Sequence, residues 1–395
     1  MTFLAYPETE QQKKILALTG ELADTFAERA AKHDWEGSFP YENFVDLHRA
    51  GYLTLTVPRE LGGWGAPLVD VIMAQMRLAQ GDAATALVMS MHHAHIARFA
   101  QATQGKYSDF FTRICQAIVQ DGAIINTAAT EPATGSPSRG GLPQTIATRQ
   151  PDGSWRITGR KTFTTGSPVL HFFVVSCAIE DESGLEPLEA KKGSFLVLRD
   201  TPGLRVQETW NSLAMRQSGS HDLILEDVQV GPEAYVEAQI SFDASMQMRQ
   251  TAWSFVTVAV YMGVAQAARD FAVKFARNRR PNSINQSIAT IPHIQEKVAK
   301  MDLALLQSKA VLYSVAEQYM ADPTSVPAAQ FGAAKYLATN HALEITELAM
   351  RLVGGASLSL NLPLQRYYRD VRAGFNHPPQ DDVTISMLAK LALES

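Results

Sequence analysis

The spacing of apolar residues along the chain changes twice, and each change predicts a different kind of secondary structure. From Glu8 to about Gln120, apolar residues recur at three- and four-residue intervals, which is typical of helices that bury one face. From about Ala123 to Val230 the pattern shortens to runs bounded by turns, which predicts strands. From about Phe242 onward long helical runs return. The chain is therefore predicted to run from helices to strands and back to helices.

The individual elements can be located from the same pattern. In the first part, helical spacing relates Ile15, Leu22 and Phe26, and again Leu68 and Ile72. The predicted strands are AIINTAAT (123–130), WRITG (155–159), HFFVVSCAIE (171–180), SFLVLR (194–199) and HDLILEDVQV (221–230). The later predicted helices cover 253–277, 293–320 and 328–354, with Asp322-Pro323 separating the last two and Gly354 as a C-cap.

Composition limits the class of protein. The chain has 395 residues, of which 46% are hydrophobic and 19% charged, so it can bury a large core in two or three structural units. A net charge of −5 argues against nucleic acid or an anionic membrane as partner. Cys115 and Cys177 are too few for a disulfide framework or a metal site. The N-terminus lacks a signal peptide pattern and no apolar run is long enough to span a membrane, so we expect a cytoplasmic, soluble protein.

Three short motifs carry candidate chemistry. Thr130 to Ser136 (TEPATGS) follows an apolar strand, and its small residues would let backbone N–H groups and a serine hydroxyl approach a phosphate. Taken alone, the motif is better explained as a surface turn. The stretch GRKTFTTG (159–166) alternates an aromatic ring with hydroxyl groups, and MRQS (215–218) precedes a strand.

Taken together, these motifs resemble the acyl-CoA dehydrogenase flavoprotein family over nearly the whole chain. The resemblance rests on VPRELGGWGAP (57–67), AATEPATGS (128–136), ITGRKTFTTG (157–166), AMRQSGSHDLILEDVQV (214–230) and LVGGASLSLNLPLQRYYRDVR (352–372), which occur in the family's order. It implies an α+β fold with an N-terminal helical domain (1–121), a central β-barrel domain (122–236) and a C-terminal four-helix bundle (237–395). It also implies a homotetramer or homodimer in which neighbouring subunits complete the flavin site.

The resemblance implies FAD as cofactor, with FMN as a possibility. Thr130 would contact the pyrimidine side of the flavin, Ser136 its pyrophosphate, and Phe163 and Thr165 the isoalloxazine ring and N5. Arg279, Gly354 and Gly355 would reach the FAD of a neighbouring subunit. The chain departs from the family at Phe163, where tryptophan is usual, at Asn282-Ser283, where Phe-Gly is usual, and at Pro137, where aspartate is usual.

The catalytic base is where the sequence departs most from the family. The family's glutamate falls at Pro378, and its alternative position falls at Trp253, so neither position carries a carboxylate. The predicted function remains that of the family: oxidation of an acyl-CoA-like thioester by hydride transfer to FAD N5, with the electrons passed to an acceptor. The base would then be Asp381 or Asp382. These aspartates could equally begin the last helix, where acidic residues favour the helix dipole.

Two further hypotheses remain open. In a flavin-dependent monooxygenase of the same fold, reduced flavin reacts with O2, and His377, with His92 or His93, would protect the resulting adduct. The histidines of 92–95 lie in an apolar run, where a hydrogen-bonded core residue is the more common role. No carboxylate or cysteine completes a ligand set with them, so we predict no metal. The third hypothesis is a flavin-binding protein without catalytic activity.

Overall fold

Five helices form the N-terminal part of the computed structural model, which describes residues 6–103, 105–134, 141–183, 191–240 and 252–394. The first helix begins at a capping box, in which Thr9 and Gln12 bond each other's backbone, and ends at Gly37 with φ +67°. The fourth begins where the carboxylate of Asp82 accepts a hydrogen bond from the amide of Ala84. The helices are α1 (Glu10–Glu36), α2 (Tyr41–Arg49), α3 (Leu68–Gly81), α4 (Ala83–Ala102) and α5 (Asp109–Asp121).

A curled seven-stranded sheet follows, with strand order β1-β4-β2-β3-β7-β6 and β5 paired to β4. The strands are β1 (Ile125–Ala128), β2 (Ile146–Arg149), β3 (Trp155–Thr164), β4 (Phe172–Asp181), β5 (Lys192–Leu198), β6 (Leu204–Gln207) and β7 (His221–Val230). One edge of β4 is shared by β1 along its first half and β2 along its second, both parallel to it. The other edge of β4 pairs with β5 in the antiparallel sense.

The C-terminal part is a helical bundle. Its helices are α6 (Val236–Gln239), α7 (Phe255–Asn278), α8 (Pro292–Ala321), α9 (Ala328–Val353), α10 (Leu364–Asp370) and α11 (Asp381–Glu394). The first half of helix α7 is more deeply buried than its second half. The helix packs on α8 and α9 and also on α3 of the N-terminal part. At Gly263 an added Cβ would lie 2.3 Å from the carbonyl oxygen of Met76, so these two helices touch through backbone.

The predicted α+β class, with helices on both sides of a central β unit, is confirmed. All five predicted strands and the three long C-terminal helices are present. Strands β2 and β6 were missed, because each has four residues and β6 alternates between exposed and partly exposed positions at the sheet edge. Across the described residues, no helix is both long and apolar enough to cross a membrane.

Candidate active site

Two adjoining cavities lie where the sheet, the N-terminal helices and the bundle meet. The larger, of about 900 Å³, is bounded by β1, β3, the loop before β7 and helix α4, and we call it the sheet cavity. The smaller, of about 410 Å³, is bounded by α4, α7, α9 and the segment 374–387, and we call it the bundle cavity. The walls of both contain Met91, Arg98, Thr257, His377, Pro378 and Gln380.

Phe163 is directed into the sheet cavity by an irregularity in β3. Between Lys161 and Thr164, β3 gains one residue on β7, which forms a β-bulge. Phe163 at this bulge has φ +54°, in the left-handed region that is costly for a residue with a side chain. Its ring is 58% exposed and meets Trp210 edge to face, with ring centroids 5.9 Å apart. The local strain thus places an aromatic surface where a planar ligand could stack.

Polar groups from three segments surround this ring. The Thr165 hydroxyl lies 3.0 Å from that of Ser220, which lies 2.8 Å from that of Ser218. The side-chain amide of Asn126 donates to the carbonyl of Thr165 at 2.9 Å, and Thr130 also lines the cavity. The structure therefore brings Thr130, Phe163 and Thr165 together, as the resemblance implies.

A buried ion pair holds the Thr130 loop on the sheet. Glu131 and Lys161 are 2% and 0% exposed, and the ammonium donates to the carboxylate at 2.6 Å. The carboxylate also accepts from the amides of Gln144 and Thr145 and from the Thr145 hydroxyl. Burial alone would raise the pKa of Glu131, but these hydrogen bonds outweigh burial and lower the pKa to about 2. Glu131 is therefore a fully satisfied anion that fixes the neighbouring Thr130.

A second buried carboxyl joins the bundle to the sheet cavity. Asp370, at the end of α10, accepts a hydrogen bond from the amide of Met215 at 2.7 Å. Met215 has φ +53°, and its carbonyl accepts from the indole of Trp210 at 3.0 Å. Burial raises the pKa of Asp370 to about 7. The loop that carries Trp210 is thus held by a residue of the bundle.

His95 and His377 line the cavities, whereas the sequence suggested His377 with His92 or His93. His92 is buried away from both walls: one ring nitrogen contacts the carbonyl of Leu53 at 2.9 Å, and the other accepts from the amide of Ile125 at 3.3 Å. His93 is also buried, beside Thr56. His95 instead lines the sheet cavity, where one ring nitrogen bonds the hydroxyl of Thr127.

His377, which the sequence suggested as a catalytic residue, lines both cavities. Its ring lies 5.8 Å from that of Tyr261. Burial lowers its pKa to about 4, with a further contribution from the charge of Lys335. Burial lowers the pKa of His95 to about 3, and the charge of Arg98 adds to the effect. Both imidazoles are therefore neutral at physiological pH.

The aspartates proposed as bases do not line either cavity. Asp381 accepts from Lys335 at 3.2 Å and from the side chain of Asn340 at 3.0 Å. Asp382 is exposed, and both aspartates lie in the first turn of α11. At the two positions where the family carries its base, Pro378 lines both cavities, whereas Trp253 is buried outside their walls.

The residues predicted to reach a neighbouring flavin lie on the outside of the chain. Arg279, Gly354 and Gly355 are exposed and belong to neither cavity. Gly354 has φ +70°, which accounts for glycine there, but at Gly355 an added Cβ would meet nothing within 4 Å. Ser136 lies outside the described residues.

Sequence reasoning missed Arg98, Trp210 and Arg372, which line the sheet cavity, and did not select His95. For His95 and Arg98, a signal was present in the sequence of α4. Met91, His95 and Arg98 are spaced i, i+4, i+7 and share one helix face, from which His92 is rotated by about 100°. The apolar pattern could not identify this face, because α4 is buried nearly all round. Among the described residues, no group of three or more His, Cys, Asp or Glu is arranged to hold a metal ion.

A curled sheet between two helical parts, with a cavity at their junction, defines an acyl-CoA dehydrogenase type of protein. Comparison with family models agrees: those of the acyl-CoA dehydrogenase N-terminal, middle and C-terminal domains match residues 9–108, 126–228 and 245–375. The chain belongs to the acyl-CoA dehydrogenase family.

Its relatives include dehydrogenases and enzymes of another reaction class. The chain is 43% identical to YdbM of Bacillus subtilis (strain 168), named "Putative acyl-CoA dehydrogenase", with 98% of this chain and 99% of YdbM covered. It is 29% identical to the amino sugar nitrososynthase DnmZ of Streptomyces peucetius, covering 99% and 95% of the two chains. A solved structure of KijD3 in complex with FMN and dTDP-3-amino-2,3,6-trideoxy-4-keto-3-methyl-D-glucose superposes with a TM-score of 0.83 at 28% identity, over 98% and 95% of the chains.

Proposed function

We propose that the protein is a flavin-dependent monooxygenase that uses reduced flavin and O2 to oxidise a small molecule. The observation that carries this proposal is the chemistry of the cavity walls. Among the described residues that line them, none is an aspartate or glutamate, whereas two neutral imidazoles, His95 and His377, are present. Removal of the weakly acidic α-proton of a thioester needs a positioned base. A monooxygenase has no such requirement.

Three features of the sheet cavity support flavin binding. The ring of Phe163 offers a stacking surface, the hydroxyls of Thr165 and Ser220 lie beside it, and Arg372 adds a cation to the wall. A bound reduced FAD or FMN would supply the two electrons that place one oxygen atom of O2 in the substrate and release the other as water. The protein's part is to hold the flavin and keep bulk water out.

His95 and His377 are suited to a site that must stay dry. A neutral imidazole can donate and accept hydrogen bonds without bringing the hydration shell of a charge. His377 lines both cavities, which supports a role between a flavin in the sheet cavity and a substrate in the bundle cavity. The nitrososynthase relative DnmZ and the FMN complex of KijD3 support a flavin enzyme outside the dehydrogenase class.

Dehydrogenation of an acyl-CoA is the second candidate, and the 43% identity to YdbM favours it. Asp381 would then serve as base. In the structure its carboxylate is bonded to Lys335 and Asn340, so the loop would have to release both before the carboxylate could reach a substrate.

Flavin binding and reoxidation distinguish the two candidates. Under anaerobic conditions, the monooxygenase should bind reduced FMN or FAD more tightly than the oxidised form, and butyryl-CoA or hexanoyl-CoA should not bleach the oxidised flavin. After mixing with air, the reduced complex should release hydrogen peroxide slowly. His377→Ala should accelerate this release several-fold, because water gains access to the flavin.

The matched control is Asp382→Asn, which changes an exposed carboxylate of the same segment and should leave peroxide release unchanged. Anaerobic bleaching by either acyl-CoA, with loss of that bleaching in Asp381→Asn, would instead establish the dehydrogenase. Failure of reduced and oxidised FAD and FMN alike to bind would remove both candidates.

A further inference from the structure

The bundle cavity contains a cation that no described side chain neutralises. Arg98 lies in the shared wall of the two cavities, and no ion pair or hydrogen bond joins it to another described residue. Its Nε atom is fully buried. Burial lowers the pKa of Arg98 to about 10, which leaves the guanidinium charged at neutral pH. Arg98 as a whole is partly buried, and a charge without a partner in a largely apolar cavity is costly, which favours an anionic ligand beside it.

The other charged groups that the structure describes in the cavity walls do not supply an anion for Arg98. Lys335, in the bundle cavity, is itself a cation and is already paired with Asp381. Arg372, in the sheet cavity, lies with its Cζ atom 3.6 Å from the centroid of the Tyr368 ring. The described walls therefore carry three cations and no acidic side chain.

The location of Arg98 separates it from the part of the site that suits a flavin. No residue of the sheet lines the bundle cavity, whereas Thr130, Phe163 and Thr165 belong to the sheet cavity alone. The volume of about 410 Å³ lies near the lower end of the range for small-molecule sites, roughly 300–1,000 Å³. The remaining wall is largely apolar, with Met91, Val258 and Met387 among its residues.

We propose that the bundle cavity binds a small substrate with an apolar body and a carboxylate, and that Arg98 pairs with this carboxylate. The planar guanidinium has two parallel N–H groups that match the two oxygens of a carboxylate. A neutral substrate would leave the partly buried charge of Arg98 without a partner, so the site would select against it. The proposal rests on the proposed function only in taking the bound acid to be the molecule that is oxidised. Binding of the anion itself requires no turnover.

The test measures equilibrium binding to the protein loaded with oxidised flavin, followed by the change in flavin absorbance and by calorimetry. The probes are two pairs of similar shape that differ in charge: benzoate with benzamide, and hexanoate with hexanamide. The parent protein should bind at least one acid ten-fold or more tightly than its amide. In Arg98→Leu this preference should disappear. Arg98→Lys should retain only part of it, because lysine keeps the charge but lacks the two parallel N–H groups of the guanidinium.

Thr346→Val is the matched control, since Thr346 lies on α9 outside both cavities and its hydroxyl bonds carbonyls of its own helix, and this variant should retain the preference of the parent. Arg98→Gln replaces Arg98→Leu if the leucine variant does not fold, as judged by circular dichroism. The proposal is overturned if the parent shows no preference for acids, if the preference survives in the neutral variants, or if phenyl phosphate binds more tightly than benzoate. If Arg98→Leu lost flavin but kept its preference for acids, Arg98 would serve the cofactor and not the substrate. That result would also overturn the proposal. None of these outcomes depends on reaction with O2, so the proposed function is tested separately.

Discussion

Phe163 combines an unfavourable backbone conformation with an unfavourable environment, and both point to a ligand. Its φ of +54° is strained for a residue with a side chain, at a cost of about 1–3 kcal/mol. Its ring is also left exposed, so folding of the isolated chain gains little from it. A residue with this combination persists when the ring contributes to binding.

Phe163→Gly is therefore expected to change stability and flavin binding in opposite directions. Glycine tolerates positive φ, so the thermal midpoint of the flavin-free protein should stay the same or rise. Loss of the aromatic contact should weaken flavin affinity by about ten-fold, corresponding to about 1.4 kcal/mol. Melting of the flavin-free protein and a fluorescence titration measure the two effects. Leu142→Ala, an exposed apolar residue outside both cavities, is the control; reduced stability with unchanged affinity in Phe163→Gly would contradict the interpretation.

Asp370 should make stability depend on pH near neutrality. Burial raises its pKa from 3.8 to about 7 in the folded state, so between these values the folded protein holds a proton that the unfolded chain has lost. Its contribution to stability is present below the unfolded pKa and decreases as pH rises towards 7. Asp370→Asn retains an acceptor for the Met215 amide but does not titrate. The melting temperature of the variant relative to the parent should therefore increase between pH 5 and pH 8, whereas Asp200→Asn on the surface should show no such trend.

At the scale of elements, strand β3 and the Thr130 loop are joined by Lys161 and Glu131, which makes this ion pair part of the site's framework. Removing one member of a buried pair leaves the other charge uncompensated. Lys161→Met should thus lower the free energy of unfolding at pH 7 by about 3–5 kcal/mol, as measured with urea. The double variant Lys161→Met with Glu131→Gln removes both charges and should recover part of the loss. A loss below about 1 kcal/mol would mean that the pair acts as an exposed one does.

The same pair predicts the response to acid. The pKa of Glu131 is lowered to about 2 in the folded protein, so its stabilising contribution is present above its unfolded value of 4.5 and is lost as pH falls towards 2. Between pH 5 and pH 3, the parent should lose stability more steeply than the double variant, measured by urea unfolding at each pH. Equal slopes would show that Glu131 does not take part in acid unfolding.

Elements with a strong period were predictable from sequence, whereas the site depended on contacts between elements. Helix α7 and strands β4 and β7 carry long apolar patterns, while β2 and β6 are too short to show one. Phe163 and Thr165 could be placed by resemblance, because each belongs to a motif. His95 and Arg98 could not, since α4 is buried on nearly every face and only its neighbours reveal which face meets the cavity. The pairing of Asp381 with Lys335 likewise joins residues distant in sequence.

At the scale of the whole molecule, the outer surface of the bundle is notable for its exposed apolar side chains. Several large apolar residues there are exposed: Leu303, Leu358, Leu360, Leu391 and Leu393. Exposed apolar surface on a soluble protein commonly marks an interface, and identical chains usually assemble with closed symmetry. Arg279 and Gly355 lie on this outside surface as well. We expect a homodimer or homotetramer in which they approach the flavin of a neighbouring subunit.

Gly355 provides a sharp test of this arrangement. Within one chain its added Cβ would meet nothing, and its φ is not in the left-handed region, so Gly355→Leu should barely change the unfolding of a single chain. If the backbone of Gly355 approaches a neighbour's flavin, leucine should displace that flavin. Flavin should then be lost on gel filtration, and the assembly should be weaker.

Arg279→Ala should also release flavin, but with the assembly intact, because only a charge is removed. Gly20→Ala on α1, where the new Cβ makes ordinary contacts at 3.7 Å, is the control and should retain flavin and assembly. Full flavin retention in both Gly355→Leu and Arg279→Ala, or in a parent protein that is monomeric, would place the whole flavin site within one chain.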